Sequence, residues 1–259
     1  MAEEELKLPF TAHLEELRQR LLISLIAIAI GAVISFAFAK QLFYILARPL
    51  VKMLPPDQPM IFTALTEAFF TYFKVALLSG FVLASPVVFY QLWKFIAPGL
   101  YEHERRFVVP FVISATVFFL LGGLFAYFVV FPFGFKFFLG FSTDYLKLLP
   151  KMNEYFSLTL KLLFAFGLIF EMPVITFFLA KMGVVNAQML SSKRRYAIVI
   201  IFIAAAILTP PDVGTQLLMA GPLLLLYEIS IWVARIFGRK PIKIEEEPQK
   251  DNVAANKGK

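Results

Sequence analysis

The chain has 259 residues, of which 59% are hydrophobic and only 17% charged, with 31 Phe and a net charge of +7. A soluble domain of this length sits nearer half apolar and a quarter charged, and a disordered chain is poorer still in apolar residues. Cys is absent and there are two His, which excludes disulfides, thiolate metal sites and an ordinary zinc centre; what remains is an integral membrane protein, whose positive charge bears on membrane sidedness rather than nucleic-acid binding.

The chain opens Met1-Ala2-Glu3-Glu4-Glu5. That acidic start is unlike a cleavable signal or transit peptide, so the first span is expected to stay as an anchor. A hydrocarbon core of about 30 Å needs about 20 apolar helical residues. Six runs are candidates: 21–39, 68–96, 107–131, 156–180, 196–208 and 217–233. Ahead of the first, Leu14, Leu17 and Leu21 share one helical face, which predicts an amphipathic lead-in. The outer segment 40–67 carries Pro49, Pro55, Pro56 and Pro59, which predicts a stiff, ordered cap. The other outer loop, 132–155, is too short for a separate domain. The last two runs hold 13 and 17 residues, about 20 and 25 Å of helix. Helices five and six are therefore expected to be short, with Thr209-Pro210-Pro211-Asp212 breaking the chain between them. The whole reads as one six-helix membrane domain over 1–240, followed by a disordered, charged cytoplasmic tail over 241–259.

Lys and Arg set the orientation. With six spans, 17 of them fall on the side holding both termini and six on the other. The positive-inside bias then makes both termini cytoplasmic. Fusing the last two runs into one broken span would export the seven cations from Arg235 onward, so that topology is rejected. Lys74 and Lys161 lie near the outer ends of their spans, where they can snorkel, and no role is assigned to them. Walker, Gly-x-Ser-x-Gly and His-Glu-x-x-His motifs are absent from the sequence, which argues against an ATP-driven pump or a membrane protease.

Polar residues placed against expectation mark the candidate sites. His13-Leu14-Glu15-Glu16-Leu17-Arg18-Gln19-Arg20 precedes the first span. Glu16 and Arg20, four apart, suit an ordinary helical ion pair of about 0.3–0.5 kcal/mol; Glu16 equally suits a carboxylate held at the membrane surface for a cationic ligand. A second acid-bearing patch follows span two, in Trp93-Lys94-Phe95-Ile96-Ala97-Pro98-Gly99-Leu100-Tyr101-Glu102-His103-Glu104-Arg105-Arg106. Glu104 there either neutralises Arg105 or Arg106, or joins Glu16 in holding two arginines, since a carboxylate receives a guanidinium through two parallel hydrogen bonds. Glu171 lies inside span four, where a charge costs roughly 2.5–3.5 kcal/mol on insertion scales. It is either a structural hydrogen bonder or a functional polar site.

These segments resemble the TatC family, the polytopic receptor subunit of the twin-arginine protein translocase. The resemblance runs from Phe10 to Lys240 and rests on His13 to Leu21, Phe95 to Leu100 with His103 to Arg106, Phe125-Ala126-Tyr127-Phe128 with Phe131-Pro132, Ala165-Phe166-Gly167 with Phe170 to Pro173, and Leu208 to Asp212. It implies six helices in a concave, glove-like body with cytoplasmic termini, and a non-enzymatic receptor without cofactor or metal in a prokaryotic inner membrane. Glu16 and Glu104 match the family's signal-binding carboxylates, with Arg18, Arg20 and Phe95 in the same site. Glu171 and Gln216 match polar positions where single-span TatA- and TatB-type partners dock, and Pro49 and Asp212 match outer-side positions. Self-association in the receptor complex and export driven by the proton-motive force are implied as well. Glu102, basic in some relatives, and the extra acid Glu15 depart from the pattern. A proton-coupled transporter of small solutes, with Glu171 carrying the proton, is the alternative; such folds usually carry inverted repeats and broken helices, and neither is evident here.

Overall fold

The computed structural model of the chain describes residues 10–55, 60–96, 108–143, 149–209 and 213–238. The helices are α1 (Phe10–Ala37), α2 (Ala39–Val51), α3 (Glu67–Ile96), α4 (Val108–Phe125), α5 (Phe131–Leu139), α6 (Met152–Lys181), α7 (Ala187–Ser192), α8 (Arg194–Leu208) and α9 (Val213–Phe237). A π-helical turn, Ala126–Val130, joins α4 to α5. Among the described residues there is no strand, and the one bridge pairs Ile61 with Lys151. Five helical stretches are long and apolar enough to cross a membrane: Ala12–Ala37, Glu67–Ile96, Val108–Leu139, Met152–Lys181 and Val213–Phe237.

Side-chain contacts fix how the helices run. α1, α4 and α8 begin at the end of the bundle where α3, α6 and α9 finish, hereafter the near end. Arg20 meets Gln91 there, and Trp93 stacks among Phe111 and Phe178. At the far end α6 begins beside the segment leading into α3.

Two helix crossings depend on glycine. A Cβ on Gly31 of α1 would stand 2.5 Å from the Gly80 carbonyl oxygen of α3, and one on Gly122 of α4 would run into the Phe166 carbonyl oxygen of α6. Backbones in lipid associate by such close approach, because burying apolar side chains gains little there. Around these crossings Phe supplies the filling. Phe43 stacks on Phe156 at 4.4 Å in the larger core, and Phe89, Trp93, Phe111, Phe119 and Phe178 form a second cluster toward the near end.

One expected element is corrected. The sixth helix was expected to be short, but α9 has 25 residues, running from Val213 through Arg235 to Phe237. Thr215 and Gln216, polar in sequence, are part of its first turns, and Thr215 is buried. α8 is short, with 15 residues. The amphipathic lead-in is the first part of α1 itself. Its leucines Leu14, Leu17 and Leu21 face outward, while Glu16 and Arg20 turn toward α3. In a bilayer the apolar face belongs outside. The expected 241–259 tail lies outside the described residues.

Prolines inside the helices follow one rule. Each removes the N–H that would serve the carbonyl four residues earlier. Pro49 thus orphans Ile45 O, and Tyr127 Oη donates to that oxygen at 2.7 Å, tying α2 to the π turn. Pro86 orphans Val82 O, and Ser85 Oγ donates to it at 2.8 Å. Pro132 orphans Phe128 O one residue after α5 begins, and the ladder ahead of it relaxes into the π turn. We expect Tyr127→Phe to cost about 1–3 kcal/mol of stability. In a Pro49→Ala background, where residue 49 regains its N–H, the same change should cost less. Thermal unfolding of the four proteins in detergent measures this, and simply additive losses would contradict the compensation.

Candidate functional site

At the near end α1 and α3 bring together residues 71 positions apart. Arg20 Nη2 donates to Glu16 Oε1 at 2.9 Å, one helical turn away, and Arg20 Nη1 donates to Gln91 Oε1 at 3.3 Å. His13, a turn before Glu16, stacks its ring on Phe95 with centroids 4.5 Å apart and planes 15° apart. Its Nδ1 lies 4.0 Å from Glu16 Oε2. Glu16 and Arg20 keep 22% and 23% of their side-chain surface exposed, so the carboxylate is sheltered yet reachable. The spacing causes this. Positions 13, 16 and 20 lie on one face of α1, and 91 and 95 are likewise one turn apart on α3.

The other expected residues divide. Arg18, two positions from Glu16, lies on a different flank of α1 and is exposed. Glu104, Glu102 and Asp212 lie outside the described residues. Pro49 is buried within α2 at the far end. Glu171 is 4% exposed; its carboxyl meets the Phe119 backbone of α4, and Oε1 has no hydrogen-bond partner. Gln216 Nε2 donates to Phe202 O of α8 at 3.0 Å. Among the described residues no hydrogen bond joins Glu171 to Gln216, which engage α4 and α8 respectively.

Sequence reasoning missed Gln91, an amide within an apolar helix, although a polar residue at that place was itself the signal. It also missed Glu67, which ties the far end together. Glu67 Oε2 accepts from Thr63 N at 2.7 Å and Ala64 N at 3.3 Å, and Oε1 accepts from Asn153 N at 2.7 Å. Ile61 O accepts from Met152 N at 2.8 Å, so two of the open first-turn amides of α6 are satisfied by Ile61, ahead of α3, and Glu67, its first residue. Lys74 completes the join, donating to Asn153 Oδ1 and Ser157 Oγ at 2.9 and 3.1 Å.

Residues 12–222 match the family described as Sec-independent protein translocase protein (TatC). The chain belongs to the TatC family. It is 53% identical over 247 residues to the Sec-independent protein translocase protein TatC of Desulforapulum autotrophicum, covering 95% of this chain and 92% of that one. The TatC of Aquifex aeolicus is 47% identical over 241 residues, covering 92% and 100%. A crystal structure described as the twin arginine translocase receptor TatC matches with a TM-score of 0.79 at 48% identity, covering 88% of this chain and 100% of that one. The resemblance drawn from the sequence holds.

One feature of this TatC-family chain concerns the helix on which Gln216 acts. α8 ends at Leu208, and position 211, whose amide would serve Ile207 O, is proline. Lys161 Nζ of α6 donates to Ile207 O instead. Thr209 N and Oγ1 both donate to Ala205 O, each at 2.9 Å. A cation at a helix C-terminus is also favoured by the helix dipole. Lys161, to which the sequence assigned no role, is thus a cap. At the near end Arg194 and Glu228, paired at 2.8 Å, close the same α8–α9 hairpin. Lys161→Met should speed amide exchange in the last turn of α8 several-fold, while Lys161→Arg, which keeps a donor, should leave it near wild type. Hydrogen–deuterium exchange of α8 reads both, and equal exchange in all three proteins would refute the cap.

Proposed function

We propose that this chain is the receptor and core subunit of a twin-arginine translocase, binding the paired arginines of signal peptides on folded precursors. Glu16 and Glu104 are the two acceptors, and Arg18, Arg20 and Phe95 complete the site. The observation that carries this reading is the state of Glu16. Its Oε1 already holds a guanidinium, so the site suits that group, while among the described residues the ion pair at Oε2 is with His13 at 4.0 Å. Glu104 is bracketed in sequence by Ile96 and Val108, both at the near end. Charge-assisted bonds in such a partly sheltered place exceed what a fully exposed pair gives.

The near end is the cytoplasmic one, following the Lys and Arg bias, and the membrane is a bacterial inner membrane. The apolar stretch of the signal peptide then enters beside the helices. TatA- and TatB-type single-span proteins dock near Glu171 and Gln216, copies of the chain associate in the receptor complex, and the proton-motive force drives export. Pro49 and Asp212 act on the outer side, where the Pro49–Tyr127 compensation supports an ordered cap.

Three experiments test the reading. Glu16→Ala combined with Glu104→Ala should reduce crosslinking of a twin-arginine peptide at least tenfold, roughly the loss of two charge-assisted bonds. Unchanged crosslinking in folded protein removes the receptor site. Purification in mild detergent should bring along small single-span proteins and signal-bearing precursors. Solute uptake by vesicles holding this chain alone would support the transporter reading instead.

A further inference from the structure

The Glu16–Arg20 pair differs from an ordinary helical ion pair in what holds its cation. Arg20 spans two acceptors on two helices, the Glu16 carboxylate and the Gln91 amide oxygen. Gln91 is 8% exposed, so its oxygen is fixed by burial rather than free to turn to water. Arg20 Nε is buried and has no hydrogen-bond partner. The guanidinium is therefore held by two acceptors while its buried Nε donor is unused. It also occupies the group a ligand arginine needs. With one carboxylate oxygen already accepting from Arg20, an arriving guanidinium competes with the resident cation for Glu16 and is repelled by it.

We propose that Arg20 is a resident stand-in for a ligand arginine: a peptide guanidinium takes Glu16 by displacing Arg20, which stays tethered to Gln91. This rests on the receptor reading above and adds a selection step to it. Displacement exchanges one bond to Glu16 for two, which a guanidinium can make. A lysine ammonium is a point charge without that fork, so it does not offset the bond lost by Arg20. Preference for arginine over lysine then comes from competition inside the site as well as from the shape of the acceptors. Gln91 is a positioning residue that keeps the displaced cation within reach and lets it return when the peptide leaves.

The test uses the full chain in lipid nanodiscs and a fluorescent synthetic peptide with two adjacent arginines ahead of an apolar stretch, beside the same peptide with two lysines. Arg20→Gln should bind the arginine peptide roughly three- to tenfold more tightly. It should also narrow the preference over lysine, and its affinity should fall more steeply with added salt, because the site has lost a repelling cation. Gln91→Leu should weaken binding in the native background but not beside Arg20→Gln, a coupling that a merely structural role does not produce. Should Arg20→Gln fail to fold, Arg20→Lys keeps a cation but loses the fork, and a smaller tightening is expected. Unchanged or weaker binding in the folded Arg20 variant overturns the proposal. Glu16→Gln separates the two failures: if it leaves peptide binding intact, the receptor reading itself falls.

Discussion

A backbone carbonyl that loses its helical partner inside hydrocarbon has no water to replace it, and leaving it unpaired there costs several kcal/mol. This chain places prolines in and just after its helices, and side chains answer three of them. Tyr127 serves the carbonyl left by Pro49, Ser85 the one left by Pro86, and Lys161 the one that Pro211 cannot serve. Two of the three donors come from other helices. The repair of local damage is therefore also what links α2 to the π turn and α8 to α6. Three of the carbonyls left without a helical partner are thus each held by a named hydrogen bond.

The same economy divides the molecule into two ends of different character. At the far end, open helix amides and loop backbone are taken up by Glu67 and Ile61, while Lys74 donates to the Asn153 and Ser157 side chains. That end is closed by backbone pairing. At the near end the polar groups are side chains with capacity to spare: Glu16 Oε2, Arg20 Nε and the His13–Phe95 stack. A surface whose hydrogen bonds are already complete has little to offer a ligand. One with a half-used carboxylate between aromatic and amide neighbours can exchange partners.

Much of this was legible. Long apolar runs announced the spans, because a helix that meets lipid needs no alternation to advertise itself. The cluster from His13 to Arg20 stood out as polar residues at helical spacing beside such a run, and Glu171 stood out as an acid within one. Which way the amphipathic start of α1 faces was not written in its spacing. Leu14, Leu17 and Leu21 face outward, and the polar side of α1 packs on α3. The ends of α9 were cut short because Gln216 and Arg235 look like boundaries, yet Gln216 bonds a carbonyl of α8 and Arg235 suits a helix C-terminus. Lys161 looked like a snorkelling cation because its acceptor, 46 positions away, carries no mark in the sequence.

By itself the sequence determined the membrane-spanning class, the α1 residues that form one polar face, and the family, since each of these depends on residue type and local spacing. Tertiary structure alone decided which carbonyl Lys161 and Tyr127 complete, that Glu171 faces α4, and that Gln91 holds the far side of Arg20. Those pairings join residues far apart in the chain. They are set by how close two backbones come at a glycine crossing and by which orphaned group happens to lie within reach.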